Sequence, residues 1–319
     1  MLEIYKTDAQ GTHAIDAPEP GCWISLVEPT ADDRNFLIEE LGVVPEFVSA
    51  AFDDEERAHA DLDDDTRQAL IIADCPFVED AYEAEDASIT QYDTHPLSFL
   101  FLPEQDMIVT VSLRENPTIE RYANGVKFRS INTNQRTRLL LLMTLNIAHN
   151  YISFLSSISR QFNANERLLR ESMRNSDLIK MLGFEKSLVY FSTSLKSMES
   201  MLSRISGGRV IRLYEEDRDL LDDVFIEIRQ AIEMCTIYTG ILNSTMETFG
   251  SVINNNMNST IRTLTILTIV LSIPTILFSF YGMNTDVLPF SDTWLWPLLF
   301  SAIVCVVVIL IFLRSRFLK

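Results

Sequence analysis

Two long runs without a single charged residue constrain this chain more than any other feature: Thr263 to Thr285 and Thr293 to Leu313. Each satisfies the roughly 20-residue length that an α-helix needs to cross the hydrocarbon of a bilayer. The alternative is a buried helical hairpin in a large soluble core. Trp294 and Trp296 lie where an interfacial aromatic belt would place them. Arg262 precedes the first run, and Arg314, Arg316 and Lys319 follow the second, while residues 282–293 hold no basic residue. The positive-inside rule therefore puts both ends in the cytosol, in a multi-pass protein of the cell membrane. The opening residues, MLEIYKTDAQG, predict no signal or transit peptide.

The net charge of −19 is unevenly placed. Residues 1–130 hold 29 Asp and Glu against 8 Lys and Arg, and the remainder holds 16 against 18. So acidic a domain repels nucleic acid and attracts cations. Cys22, Cys75, Cys235 and Cys305 form no C-x-x-C pair, and the four histidines are scattered. They predict reduced, packed thiols and no zinc site built from nitrogen and sulfur ligands.

The acidic part alternates strand-like and helical patches. Residues 22–26, 69–77, 96–102 and 106–112 read as strands, and 30–42 as a helix with Thr30 or Asp32 as N-cap and Gly42 at its end. Beyond residue 131 the period becomes helical. An apolar face through Leu139, Leu142, Leu145, His149, Ile152 and Leu155 predicts one helix to about Met173, and a second spans roughly 177–205. Val210 to Ile273 holds no proline, which predicts a rod continuing through Tyr281, on the order of 100 Å long. Such a rod needs partner helices to bury its stripes, so self-association is expected. The expected domains are an acidic α/β domain (1–130), antiparallel long helices (131–208), a stalk helix (209–262) and a membrane domain (263–319). The last comprises a first span near 263–281, an outer loop 282–293, a second span near 294–313 and a basic tail 314–319.

Positions 254, 258, 261, 265, 268, 272, 275 and 279 step by four and three and carry Asn, Asn, Ile, Thr, Thr, Ser, Thr and Ser. A 3.5-residue repeat keeps such a stripe on the axis of a helical bundle, while Leu267, Ile269, Val270, Leu277 and Phe278 are expected to face lipid. In one reading the stripe lines a pore whose neutral oxygens hold a hydrated divalent cation without trapping it. In the other, each hydroxyl bonds its own i−4 carbonyl or a neighbouring helix and lines nothing.

The run MNSTIRTLTILTIVLSIPTILFSFYGMN, residues 257–284, resembles the signature of the CorA family of magnesium and divalent-cation transporters. The general layout of the chain is similar too. The resemblance implies an α/β cytosolic domain followed by long α-helices and two C-terminal transmembrane helices, assembled as a homopentameric funnel in a lipid bilayer. It implies that Tyr281, Gly282, Met283 and Asn284 form the outer mouth, with Asn284 holding a hydrated Mg2+. Asn258, Ile261, Leu264, Thr265, Thr268, Ser272, Thr275 and Ser279 would line the pore, with Leu264 its hydrophobic constriction. Asp223 matches a regulatory metal-sensing aspartate; the position expected for its partner acid on a neighbouring subunit holds Ala50, and Asp53, Asp54, Glu55 and Glu56 follow it, with Asp53 and Asp54 as the candidate partners. Ile261 and Ser272 depart from the gate pattern, and the loop TDVLPFSDT lacks the acidic M-P-E-L sequence, leaving Asp286 and Asp292 to attract cations.

The implied activity is passive Mg2+ entry down the membrane potential, gated by cytosolic Mg2+. The alternatives are a Zn2+, Co2+ or Ni2+ transporter of the same superfamily and a non-conducting, ion-sensing membrane anchor. No P-loop, G-x-S-x-G or G-x-G-x-x-G motif is present, and no enzyme is expected.

Overall fold

The computed structural model describes residues 1–9, 11–78, 91–123, 132–172, 175–283 and 295–314. The chain divides into two compact units, Met1–Leu242 and Asn243–Lys319.

The first unit is built on a seven-stranded sheet. Its strands are β1 (Leu2–Asp8), β2 (Gly11–Ala14), β3 (Cys22–Val27), β4 (His59–Leu62), β5 (Ala69–Val78), β6 (Tyr92–Leu102) and β7 (Met107–Ser112). Their spatial order is β2-β1-β3-β7-β6-β5-β4, antiparallel except for the parallel pair β3 and β7. A parallel pair needs a long crossover, and here it spans everything between Val27 and Met107. The four strands expected from sequence are these central ones, β3, β5, β6 and β7. The remaining strands are short or carry charge, as edge strands do, and lack the apolar run that marks a buried strand.

Both faces of the sheet are covered, so β7 is buried at all six residues. On one face Ile24, Leu26, Leu70, Ile72, Leu100 and Val109 pack beneath α2 (Pro45–Ala51) and the π-turn over Phe36–Glu40 that continues the exposed α1 (Ala31–Asn35). Thr30 caps α1: its hydroxyl accepts from Asp33 N while the Asp33 carboxylate accepts from Thr30 N, a complete capping box. Gly42 follows the π-turn at φ +60, a conformation that favours glycine.

Helices α4 (Arg136–Ser172) and α5 (Asn175–Ser206) lie on the opposite face, after the short α3 (Pro117–Ala123). The α4 face differs from the expected one. Leu140, Thr144, Ile147, Tyr151, Leu155, Ile158 and Phe162 are buried, whereas Leu142, Leu145 and Ile152 are only half-buried and His149 is exposed. The run of leucines at 139–142 is apolar around the whole helix, so it fixes no phase. Tyr151 does, with its hydroxyl donating to Asp74 O at 3.1 Å and its ring meeting Phe191 edge-on at 5.0 Å.

Helix α6 spans Glu215–Tyr281 and crosses the boundary between units. It begins five residues after Val210, because Val210 and Ile211 are buried and Thr137 donates its hydroxyl to Arg212 O at 2.9 Å. The second unit contains the rest of α6 and α7 (Leu295–Arg314). Among the described residues three helices, α4, α6 and α7, are long and apolar enough to cross a membrane. The apolar window of α4 is 56% buried inside the first unit, against 0% for α6 and 6% for α7. Hydropathy without burial therefore adds α4 to the candidates, although its apolar surface already has partners.

Candidate functional site

In the second unit, Ile266, Val270, Ile273, Leu277 and Tyr281 are half-buried and lie along one face of α6. Pro297, Ser301, Val304, Cys305, Val308 and Phe312 form the matching covered face of α7. The two helices are joined where Cys305 Sγ donates to Val270 O at 3.6 Å. That carbonyl is four residues before Pro274, which has no N–H to give it. The cysteine thus supplies a donor that the proline removed. Val270 and Leu277, expected to face lipid, belong to this covered face instead.

At 100° per residue, the polar stripe is centred roughly 160° around α6 from that face. Asn258, Ile261, Leu264, Thr265, Thr268, Thr275 and Ser279 are exposed, and Ser272 is half-buried. The stripe looks away from the second apolar helix, and every described residue on it except Ser272 is exposed.

The hydroxyls of the stripe have defined directions. Thr265, Thr268, Ser272 and Thr275 donate to the carbonyls of Ile261, Leu264, Thr268 and Leu271 at 2.8, 2.8, 2.8 and 3.0 Å. Both readings of the stripe meet here: the back-bonding exists, and it consumes the proton. Each oxygen is left with lone pairs, so the stripe accepts hydrogen bonds rather than donating them.

Tyr281 ends α6, Gly282 N donates to Phe278 O at 2.9 Å, and Met283 is exposed. A Cβ at Gly282 would stand 3.2 Å from Phe278 O, so glycine permits this close return of the chain. Asn284, Asp286, Asp292 and Trp294 lie outside the described residues.

In the first unit, Asp53 and Asp54 follow α2 and are exposed, as is Asp223 on α6. Asp54 pairs with Arg114 at 3.3 Å, Asp53 Oδ1 accepts from Glu55 N at 3.0 Å, and Asp223 makes no ion pair among the described residues. No group of three or more His, Cys, Asp or Glu among the described residues is placed to hold a metal ion.

Asp54 also opens onto a cavity of about 520 Å³ that sequence reasoning missed. Asp74, Asp93 and His95 come together there from adjacent strands, and α5 supplies Ser194. Burial pushes the Asp74 carboxyl up to about 6, against a hydrogen bond from Ser194, and raises Asp93 as well. Burial pulls the His95 imidazole down to about 4, and its Nδ1 has no hydrogen-bond partner among the described residues. Across β5 and β6 Asp74 pairs in register with Pro96 and His95 with Cys75, a placement that no local motif announces.

Residues 19–314 match the sequence profile of the family described as CorA-like Mg2+ transporter protein. The chain belongs to that family. It is 26% identical over 298 residues to the cobalt/magnesium transport protein CorA of Methanocaldococcus jannaschii, covering 92% of this chain and 90% of the relative. The fold is that of CorA. The complete structure of the CorA magnesium transporter from the same organism superposes with a TM-score of 0.81 at 21% identity, over 99% of this chain and 98% of the other. The full-length CmaX protein superposes with a TM-score of 0.73 at 14% identity, over 99% and 97%.

Proposed function

We propose that the chain is one subunit of a homopentameric channel that admits hydrated Mg2+ to the cytosol down the membrane potential. The observation that carries this reading is the acceptor stripe on the side of α6 away from α7. The water shell of a hard divalent cation points its hydrogens outward, so the four hydroxyl oxygens, left as acceptors, suit the hydrated ion. A stripe turned away from the one neighbouring apolar helix needs further copies of α6 to enclose it. Five copies follow from the family plan, with α6 lining the path and α7 outside against lipid. This arrangement assigns Leu264 and Ile261 to the constriction, Asn258 to the inner polar ring, and Tyr281 to Asn284 to the outer mouth. The basic residues Arg262 and Arg314 support a cell-membrane protein with both ends cytosolic.

Cytosolic Mg2+ also acts as the regulatory ion in this account. Asp223, exposed and without an ion pair among the described residues, meets Asp53 or Asp54 of a neighbouring subunit, and occupancy holds the path closed. Asp53 is the better donor, because Asp54 is already engaged by Arg114. Co2+ is a second candidate cargo, supported by the name of the archaeal relative.

The test is uptake by liposomes with an inside-negative potential, using Mg2+, Co2+, Ni2+ and Zn2+ with and without a pH gradient. Mg2+ uptake that ignores the pH gradient and collapses in Asn284→Ala is expected. Robust uptake by that variant would remove Asn284 from the mouth, and no ion uptake at all would leave a membrane anchor.

A further inference from the structure

The first unit contains a second cavity, of about 460 Å³, whose chemistry is the reverse of the chain around it. Arg67, Arg136, Arg209, Arg212 and Arg218 line it, and no carboxylate among the described residues does. A chain with 45 acidic and 26 basic residues has no need of such a concentration for solubility. Two of the guanidinium groups are held at the rim, Arg67 by Asp64 at 3.7 Å and Arg136 by Asp106 at 2.6 Å. Arg209, Arg212 and Arg218 are exposed and make no ion pair among the described residues.

The backbone contributes as well. Arg136 and Thr137 bring the first turn of α4 to the cavity, and that 37-residue helix has no acidic residue there. A helix N-terminus carries partial positive charge and disfavours an arginine beside it, so a bound anion would relieve both. Gly208, at φ +66, ends α5 and turns the chain into residues 209–214, which deliver Arg209 and Arg212 to the wall. The other side of the cavity is apolar, with Leu62, Phe101 and Pro103, and the half-exposed ring of Tyr214 lies under the Arg212 guanidinium at 5.1 Å.

We propose that this cavity binds a nucleoside di- or triphosphate, its phosphates on Arg209, Arg212 and Arg218 and its base against Tyr214 and the apolar wall. Arginine forks match phosphate oxygens two at a time, and a planar base suits a wall that offers an aromatic ring and a stacked guanidinium. An isolated phosphate would use only part of the volume and leave the apolar wall without a role.

Calorimetric titration of the full chain in detergent, with EDTA present, tests the proposal using ATP, ADP, pyrophosphate and adenosine. ATP is expected to bind saturably and more tightly than pyrophosphate, with adenosine weakest. Arg209→Ala and Arg218→Ala are each expected to weaken ATP by about tenfold, and Arg218→Lys by less, since it keeps the charge and loses the fork. Both positions are exposed, so the variants retain the fold, which circular dichroism checks. The absence of saturable ATP binding, or unchanged affinity in the double alanine variant, overturns the site. Pyrophosphate binding as tightly as ATP overturns the nucleoside assignment. If the double variant changes subunit stoichiometry but not ATP affinity, the arginines hold the acidic surface of a second copy and the proposal falls.

Discussion

Replacing Asp74 with asparagine should stabilise the protein above neutral pH and have little effect in acid. Asp74 is 4% exposed and sits beneath α4 and α5, where burial lifts its carboxyl from 3.8 to about 6. The protonated acid therefore fits the fold, and stability is lost as pH rises from the unfolded value through the folded one. At about 1.4 kcal/mol per pH unit, the ionised carboxylate costs about 3 kcal/mol at pH 8, and about half of that at pH 5. Asparagine keeps an oxygen for Ser194 and removes the charge. Urea unfolding of the full chain in detergent at pH 8, 5 and 4 reads the difference. The gain should approach 3 kcal/mol at pH 8, halve by pH 5 and fall to about 0.5 kcal/mol at pH 4. A gain independent of pH, or a loss at pH 8, would refute the reasoning. His95 contributes with the opposite sign, because its lowered value favours the neutral ring and costs stability as pH falls from 6.5 towards about 4. Comparing variant with wild type at each pH removes that background.

Cys305→Val should lower the thermal midpoint of the detergent-solubilised protein, by an amount equivalent to about 1 kcal/mol, because Val270 O loses its donor. In a Pro274→Ala background, where an N–H returns to that carbonyl, the same change should cost close to nothing; an equal cost in both backgrounds would deny the link. Asp223→Lys should shift inhibition of uptake to higher internal Mg2+, and unchanged inhibition in liposomes of fixed internal Mg2+ would exclude Asp223 from the sensor.

Much of the layout was legible because long-range features of this chain are written locally. Charge-free runs mark α7 and the end of α6, and β-rich apolar runs mark β3, β5, β6 and β7, which are buried on both faces. The phase of α4 was not legible, since four consecutive leucines satisfy every face and the choice falls to Tyr151 and its partners on β5 and α5. The stripe is legible as a pattern of hydroxyls, but the direction of each proton depends on helical geometry, which brings each hydroxyl to a carbonyl one turn back. The two cavities were invisible for another reason. Asp74, His95 and Ser194, or Arg67, Arg136 and Arg218, are far apart in sequence and meet only after the sheet and helices have packed.

The claim that the polar face of α6 borders the ion path is tested most directly by cysteine accessibility. Cys22, Cys75 and Cys235 are buried and Cys305 faces α6, so wild-type uptake provides the background. A cationic, thiol-reactive methanethiosulfonate added to liposomes during Mg2+ uptake should block Thr268→Cys and leave Leu267→Cys, one residue away on another face, at the wild-type rate. Equal block of both variants, or none at Thr268→Cys under conditions where its labelling is confirmed by mass, would contradict the account.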